Sequence, residues 1–239
     1  MVPPIPNPFA LTWRDGIFLH WPFEPAQLSP HVPYPLDLAT SDGTAWVGLL
    51  AFVATDVGLR GTPAARLAFP ECNLRTYVER DGERAVYFFS IDVGSRFVAT
   101  VAGAIGGAPC HLAAMDVNST DGRIRFTSRR LDEAGGRHSS PSDRPASIDV
   151  TYRPTGDEFH AVRGSLAHWL TSPRRFYVTR NGRLLSGEVA HEPWLLQLAS
   201  VKIRDRALVE AAGLPTPANE PHALFCERLA MTATVHGVR

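Results

Sequence analysis

Lysine is almost missing from this chain. Of its 239 residues, Lys202 is the only lysine, and the other basic side chains are arginine. A mechanism built on a lysine amine therefore has one candidate, in the stretch SVKIRD. Cysteine is scarce as well. Cys72, Cys110 and Cys226 are odd in number, far apart and set in apolar stretches, which argues for free thiols in a reducing compartment and against a disulfide framework. No CxxC pair, HxH or HxxxH spacing or dense carboxylate cluster is present, so neither structural zinc nor another metal is expected. No apolar run approaches the roughly 20 residues of a membrane span. The opening MVPPIPNPFALTW also lacks the basic start and long apolar core of a secretory signal. The expectation is a cytoplasmic protein without a membrane partner. Formal net charge is zero, so a nucleic-acid partner is not expected either.

What is present belongs to a folded β-rich protein. Hydrophobic residues make up 44% and charged residues 20%, a balance that can fill a core and does not suit a disordered chain. The chain reads as a single domain over 1–239. Its Pro-rich first 36 residues are expected to form an extended arm lying on that domain. AWVGLLAF (45–52) is apolar on both faces when read two at a time, the mark of a central strand. Segments 71–79 and 85–92 flank Asp81-Gly82, a strong hairpin signal. A helix is expected over about 95–105, a hairpin across NSTDG, a polar Gly/Ser/Pro-rich loop at 131–146 and a short helix in GSLAHWLT. Another hairpin is expected around Asn181-Gly182, then a strand, a helix ended by Gly213 and a last strand. Many strands with few short helices point to a mainly β fold, an antiparallel sheet closed or nearly closed on itself.

The stretch FPECNLRTYV (69–78) carries the most chemistry. Cys72, Leu74, Thr76 and Val78 form an apolar face, whereas Glu71, Asn73, Arg75 and Tyr77 share the opposite one. On an edge strand that second face would look at water. Between two strands that are apolar on both sides, it points instead into a lumen, where Glu, Asn, Arg and Tyr make a small polar site.

FLHWPF (18–23), DGTAWVGLLAF (42–52), FPECNLRTYV (69–78), AVYFFSID (85–92) and VAHEPWLLQLA (189–199) occur in this order. Together they resemble the YqjF-like family of uncharacterised bacterial and archaeal proteins, with a match from about residue 13 to the C-terminus. That family is remotely related to acetoacetate decarboxylase. The resemblance implies a closed, cone-like or barrel-like β fold around a ligand cavity that holds a strand-borne glutamate, to which Glu71 corresponds, and an arginine. It also implies a lysine pair just after the helix, one member forming a Schiff base with a β-keto acid. Here that place reads GGAPCHLAAM, without lysine, so Schiff-base decarboxylation is disfavoured. A second departure is LTSPRRFY (170–177), where relatives carry a Glu-Arg-Tyr.

These readings give Glu71 as a candidate acid/base and Arg75 as an anchor for a carboxylate or enolate, its planar fork matching two oxygens. Asn73 and Tyr77 line the same face. Arg129, in RIRFTSRR, is kept as a weak second anion contact, on a face whose pattern more often marks a solvent face. His20 and His191, each near tryptophan and proline, are either turn-fixing structural residues or ligand contacts. Cys110 and His111 are neighbours on a strand and point to opposite faces, so they form no dyad. The functional expectation is an enzyme acting on a small organic anion or ketone by enolisation, hydration or isomerisation, with no cofactor. The alternative is a protein that binds the same molecule without chemistry.

Overall fold

The computed structural model describes residues 9–59, 67–101, 110–131, 145–180 and 182–237. Its strands are β1 (Phe9–Phe23), β2 (Asp37–Leu38), β3 (Ala45–Leu59), β4 (Leu67–Arg80), β5 (Glu83–Val93), β6 (Cys110–Thr120), β7 (Arg123–Arg130), β8 (Ser147–His160), β9 (Arg175–Arg180), β10 (Arg183–His191), β11 (Leu195–Asp205) and β12 (His222–Gly237). The helices are short: α1 (Pro25–Leu28), α2 (Arg96–Val101), α3 (Leu166–Thr171) and α4 (Ala207–Ala211).

All twelve strands form one sheet in the order β10-β9-β5-β6-β7-β8-β11-β12-β1-β3-β4-β2, and two further pairings, β5 with β4 and β10 with β12, close it. Two rings result. The larger runs β5-β6-β7-β8-β11-β12-β1-β3-β4 and returns to β5; the smaller runs β12-β1-β3-β4-β5-β9-β10 and returns to β12. Strands β12, β1, β3, β4 and β5 form a wall common to both. The pairing is antiparallel as expected, except at β5, which runs parallel to β6 and to β9.

The hairpin at Asp81-Gly82 forms with the expected register, Arg80 opposite Glu83, and both turn residues adopt positive φ (55° and 76°). That backbone matches the twist of the flanking strands, and glycine adopts it without steric cost. Asp121-Gly122 joins β6 to β7 in the same way. The expected helix is present over Arg96–Val101, and positions 102–105 lie outside the described residues. Most of the expected loop, 132–144, lies outside them too.

The N-terminal segment differs from its expectation. Residues 9–23 are not an arm but a central strand, bonded to β3 on one side and β12 on the other. Ile17, Phe18, Leu19, His20 and Trp21 have no exposed surface, so this run is buried on both faces. Within β1 the only proline is Pro22, one residue from its end. Asp15 at φ 51° and a register shift between Arg14 and Ile17 bend the strand, and Trp13 folds back over Gly16, where any Cβ would meet the indole.

The core divides along the common wall. Ile17, Leu19, Trp21, Val47, Leu49, Cys72 and Leu74 pack with Phe126, Ile148, Val150 and Tyr152 inside the larger ring. Leu28 of α1 and Leu208 and Val209 of α4 join this cluster. On the wall's other face, Phe18, Leu50 and Phe52 pack with Trp13 and Trp194, and Tyr77 and Val86 pack with Trp46, Trp169, Leu170 and Phe176. The smaller ring depends on one close approach at Gly187, where an added Cβ would lie 2.2 Å from Phe176 Cζ and 2.5 Å from the Thr234 carbonyl oxygen. Because one obstacle is backbone, Gly187→Ala should cost about 3 kcal/mol, overpacking without an escape route. Urea denaturation would check this, and an unchanged midpoint would mean that the strands separate there freely.

Candidate functional site

Parity along β4 places Glu71, Asn73, Arg75 and Tyr77 on the face of the wall that looks into the smaller ring, opposite Cys72 and Leu74. The ladder then brings distant residues beside them. His222, His20, Gly48, Arg75 and Phe88 stand in one row across β12, β1, β3, β4 and β5. The next row reads Leu224, Phe18, Leu50, Asn73, Ile91 and Cys110. Beyond it Glu71 sits between Phe52 and Val93.

Gly48 explains how tightly the first row packs. A Cβ there would lie 3.1 Å from His20 Cδ2 and 3.5 Å from Arg75 Cγ, so the imidazole and the arginine stem rest against bare backbone. His20 is completely buried, and neither ring nitrogen has a well-formed hydrogen bond. The His222 backbone is the nearest opposing influence. Burial first, then the charge of Arg75 and the neighbouring His222, hold His20 well below the usual histidine pKa, as a neutral imidazole. Arg75 Nε and His222 Nε2 are likewise buried without a partner.

Glu71 is half-buried yet densely surrounded, and burial pushes its carboxyl up to about 7. The only opposing influence is a 3.3 Å hydrogen bond from Asn73 Nδ2 to Glu71 Oε1. Arg75 contributes nothing to this shift. The two residues are four apart on an extended strand, roughly 13 Å between α-carbons, too far for direct pairing. The Asn73 carbonyl oxygen, between them, is buried without a partner.

Tyr77 is fully buried and committed to the protein, donating its hydroxyl to the Leu170 carbonyl of α3 at 2.8 Å while its ring lies 4.7 Å from Trp169 and 6.2 Å from His20. It fastens α3 over this face. His191 reaches the group from β10: its ring lies 4.6 Å from Trp194, which packs on Phe18, and its Nδ1 is 2.6 Å from the Glu192 carbonyl. Burial, Arg174 and Arg75 together bring its pKa down to about 4, against that backbone contact.

Arg129 is not brought to this group. It is exposed on β7, where residues 123, 125 and 129 form the outer face of the larger ring. The alternation turns the next residue inward, and Arg130 makes a bidentate pair with the fully buried Asp92 at 2.7 and 3.3 Å. Cys110 and His111 do point to opposite faces, in register with Ile91 and Asp92 respectively. Lys202 stands exposed on β11, beside a surface groove of about 500 Å³ that also takes in Arg204, Arg206, Glu210 and Glu220. β11 is not a strand of the smaller ring. Among the described residues no group of histidine, cysteine and carboxylate side chains is placed to hold a metal ion, and no helix is long and apolar enough to cross a membrane.

Two residues here escaped sequence reading. Gly48 had a signal, as the lone glycine inside an apolar strand. His222 comes from a segment that only the closed sheet brings into the row of His20 and Arg75. Arg174 stood out in the sequence only as part of the departure at LTSPRRFY.

A family model, DUF2071, described as an uncharacterized conserved protein, matches residues 10–230. The chain belongs to this family. A curated relative, the uncharacterized protein YqjF of Bacillus subtilis (strain 168), is 34% identical over 212 residues, covering 88% of this chain and 84% of the relative. Among solved structures, the enduracididine biosynthesis enzyme MppR complexed with pyruvate superposes with a TM-score of 0.63 at 14% identity, covering 98% of this chain and 90% of MppR. Acetoacetate decarboxylase from Legionella pneumophila gives 0.63 at 11%, covering 98% and 88%. An acetoacetate decarboxylase-like enzyme from Sphingomonas wittichii gives 0.58 at 14%, covering 97% and 91%. At these identities the structures establish a shared fold for this DUF2071 member and no more.

The environment of Glu71 sets a pH-dependent stability. Folded, its carboxyl stays protonated up to about pH 7, whereas its ordinary value is 4.5. The stability of the neutral form is complete below pH 4.5 and is lost as pH rises through about 7. The neighbouring Cys72 and Cys110 thiols are pushed upward by burial and stay neutral across this window. Glu71→Gln should therefore melt higher than wild type at pH 8 and not at pH 4, by about 2–4 °C for each kcal/mol of penalty relieved. An equal change in melting temperature at both pH values would show that Glu71 carries no such burden.

Proposed function

We propose that the smaller ring binds a small organic anion or ketone and that Glu71 transfers a proton to or from it, with Arg75 anchoring the negative oxygen. Enolisation, hydration and isomerisation all need this pair of roles. One observation carries the reading: a carboxyl lifted to about 7 by burial and an arginine with unpartnered Nε share one interior strand face without neutralising each other. A base works best near the operating pH, and a carboxyl close to 7 has that property. Ground-state pairing would have spent both groups on the fold. His20 extends the polar face as a neutral imidazole able to donate to an oxygen that gains charge.

No lysine supports a Schiff base in this reading. The single lysine is exposed on a strand outside the smaller ring. The resemblance to acetoacetate decarboxylases therefore extends to the scaffold, and the proposed chemistry stops short of covalent catalysis.

MppR has been solved with pyruvate, which makes pyruvate a reasonable probe. Wild-type protein should speed deuterium exchange into its methyl group, followed by proton NMR in heavy water. Glu71→Gln should lose at least about 100-fold of that rate, the usual worth of a general base, and still be thermally stabilised by pyruvate. Lys202→Ala should exchange like wild type, and borohydride should trap no adduct. Exchange that survives in Glu71→Gln would sink the catalytic assignment. Pyruvate binding without exchange in wild type would favour a protein that only binds its ligand.

A further inference from the structure

The smaller ring holds more positive charge than Arg75 alone. Phe176 packs inside it against Phe88, and Gly187 of β10 faces Phe176. Alternation then turns His191 inward from β10 and Arg174 inward from just before β9, where the Val189 N–H donates to the Arg174 carbonyl and continues the ladder. Arg174 and Arg75 both act electrostatically on His191, so both guanidiniums lie within electrostatic reach of one imidazole.

Each arginine keeps one buried nitrogen without a partner, although Arg75 also reaches the Tyr77 hydroxyl. Arg174 Nη1, Arg75 Nε, His222 Nε2 and both nitrogens of the completely buried His20 make no well-formed hydrogen bond among the described residues, the His222 backbone being the one group that acts on His20. Neither arginine makes an ion pair in that set. The carboxylate that Arg174 senses is Glu192, which is exposed, and Glu71 is beyond the reach of Arg75. Two buried or half-buried guanidiniums without interior counter-charges are costly unless something supplies those charges. Around the two arginines the unpaired atoms include several donors, the reverse of what a cation would need.

We propose that the ligand is a small dianion, bearing two carboxylates or one phosphate, gripped by Arg75 and Arg174 near His191. This rests on the reading of the smaller ring as the ligand site and narrows it. It also gives LTSPRRFY a meaning. Where the resemblance implies a Glu-Arg-Tyr, this chain has Ser172, Pro173 and Arg174, so the glutamate is absent and the arginine stands one position later. Arg174 would then set specificity by charge, while Arg75 binds any small anion.

Calorimetric titration with acetate, succinate and inorganic phosphate, at matched ionic strength and pH 7.5, tests this. Wild type should bind succinate or phosphate at least about tenfold more tightly than acetate, a second charge-assisted contact being added. Arg174→Gln should abolish that preference while leaving acetate affinity within about threefold, and Arg175→Gln, on the outer face, should change neither. Arg174→Lys, which keeps the charge, should restore part of the preference should the glutamine variant fold poorly. Succinate favoured over phosphate would place the two charges apart, on separate arginines; phosphate favoured over succinate would place them together at His191. No preference for dianions in wild type, or one that survives in a folded Arg174→Gln, overturns the inference. In that case acetate binding and Glu71-dependent exchange would leave the proposed function standing. Failure of all three anions to bind would remove both.

Discussion

Everything in this structure follows from a wall of five strands with protein on both sides. Strands β12, β1, β3, β4 and β5 belong to two rings at once, and in β1, β3 and β4 most positions on either face are turned away from water. A strand so placed must be apolar on both faces, or must put its polar groups where they serve some purpose. β1 and β3 take the first course almost throughout. β4 takes the second: Cys72 and Leu74 fill the larger ring, and the intervening Glu71, Asn73, Arg75 and Tyr77 are turned into the smaller one. Closing the rings has a topological cost, visible at β5, where two parallel joints interrupt an otherwise antiparallel sheet.

Much of this was legible in the chain because local signals and the global fold agree. Asp81-Gly82 fixed the β4/β5 register, and once 45–52 and 85–92 read as apolar on both sides, the polar face of 71–78 had only a lumen to look at. Legibility failed where proline count competed with hydrophobic pattern. Residues 9–23 looked like an arm, but a proline one residue from a strand end costs little, and Ile17 to Trp21 settled their place in the middle of the wall. It failed again at RIRFTSRR, where both parities carry arginine. Ile124, Phe126 and Ser128 sent their own parity inward and took Arg130 with them, leaving Arg129 in water.

The candidate site was half legible for a different reason. Residues on one strand share a face by arithmetic, so Glu71, Asn73, Arg75 and Tyr77 could be grouped without knowing any pairing. His20, Gly48, His222, His191 and Arg174 join them only through pairings of distant strands, His20 with His222 among them, and no local pattern encodes those. The charge balance was similarly hidden. A net charge of zero is compatible with a ring interior that gathers arginine and keeps histidines neutral, because compensating carboxylates sit elsewhere on the molecule.

The same division of the core sorts the chromophores. Trp21 packs in the larger ring, whereas Trp13, Trp46, Trp169 and Trp194 lie on the other side of the wall, with Trp169 against Tyr77 and Trp194 against His191. Trp194 also donates its indole N–H to the Thr171 carbonyl at the end of α3, tying the fluorophore to the helix that Tyr77 holds from the other side. Ultraviolet emission from this protein is therefore weighted toward one compartment. It offers an optical window on the smaller ring that needs no label, with Trp21 alone among the tryptophans reporting on the larger ring.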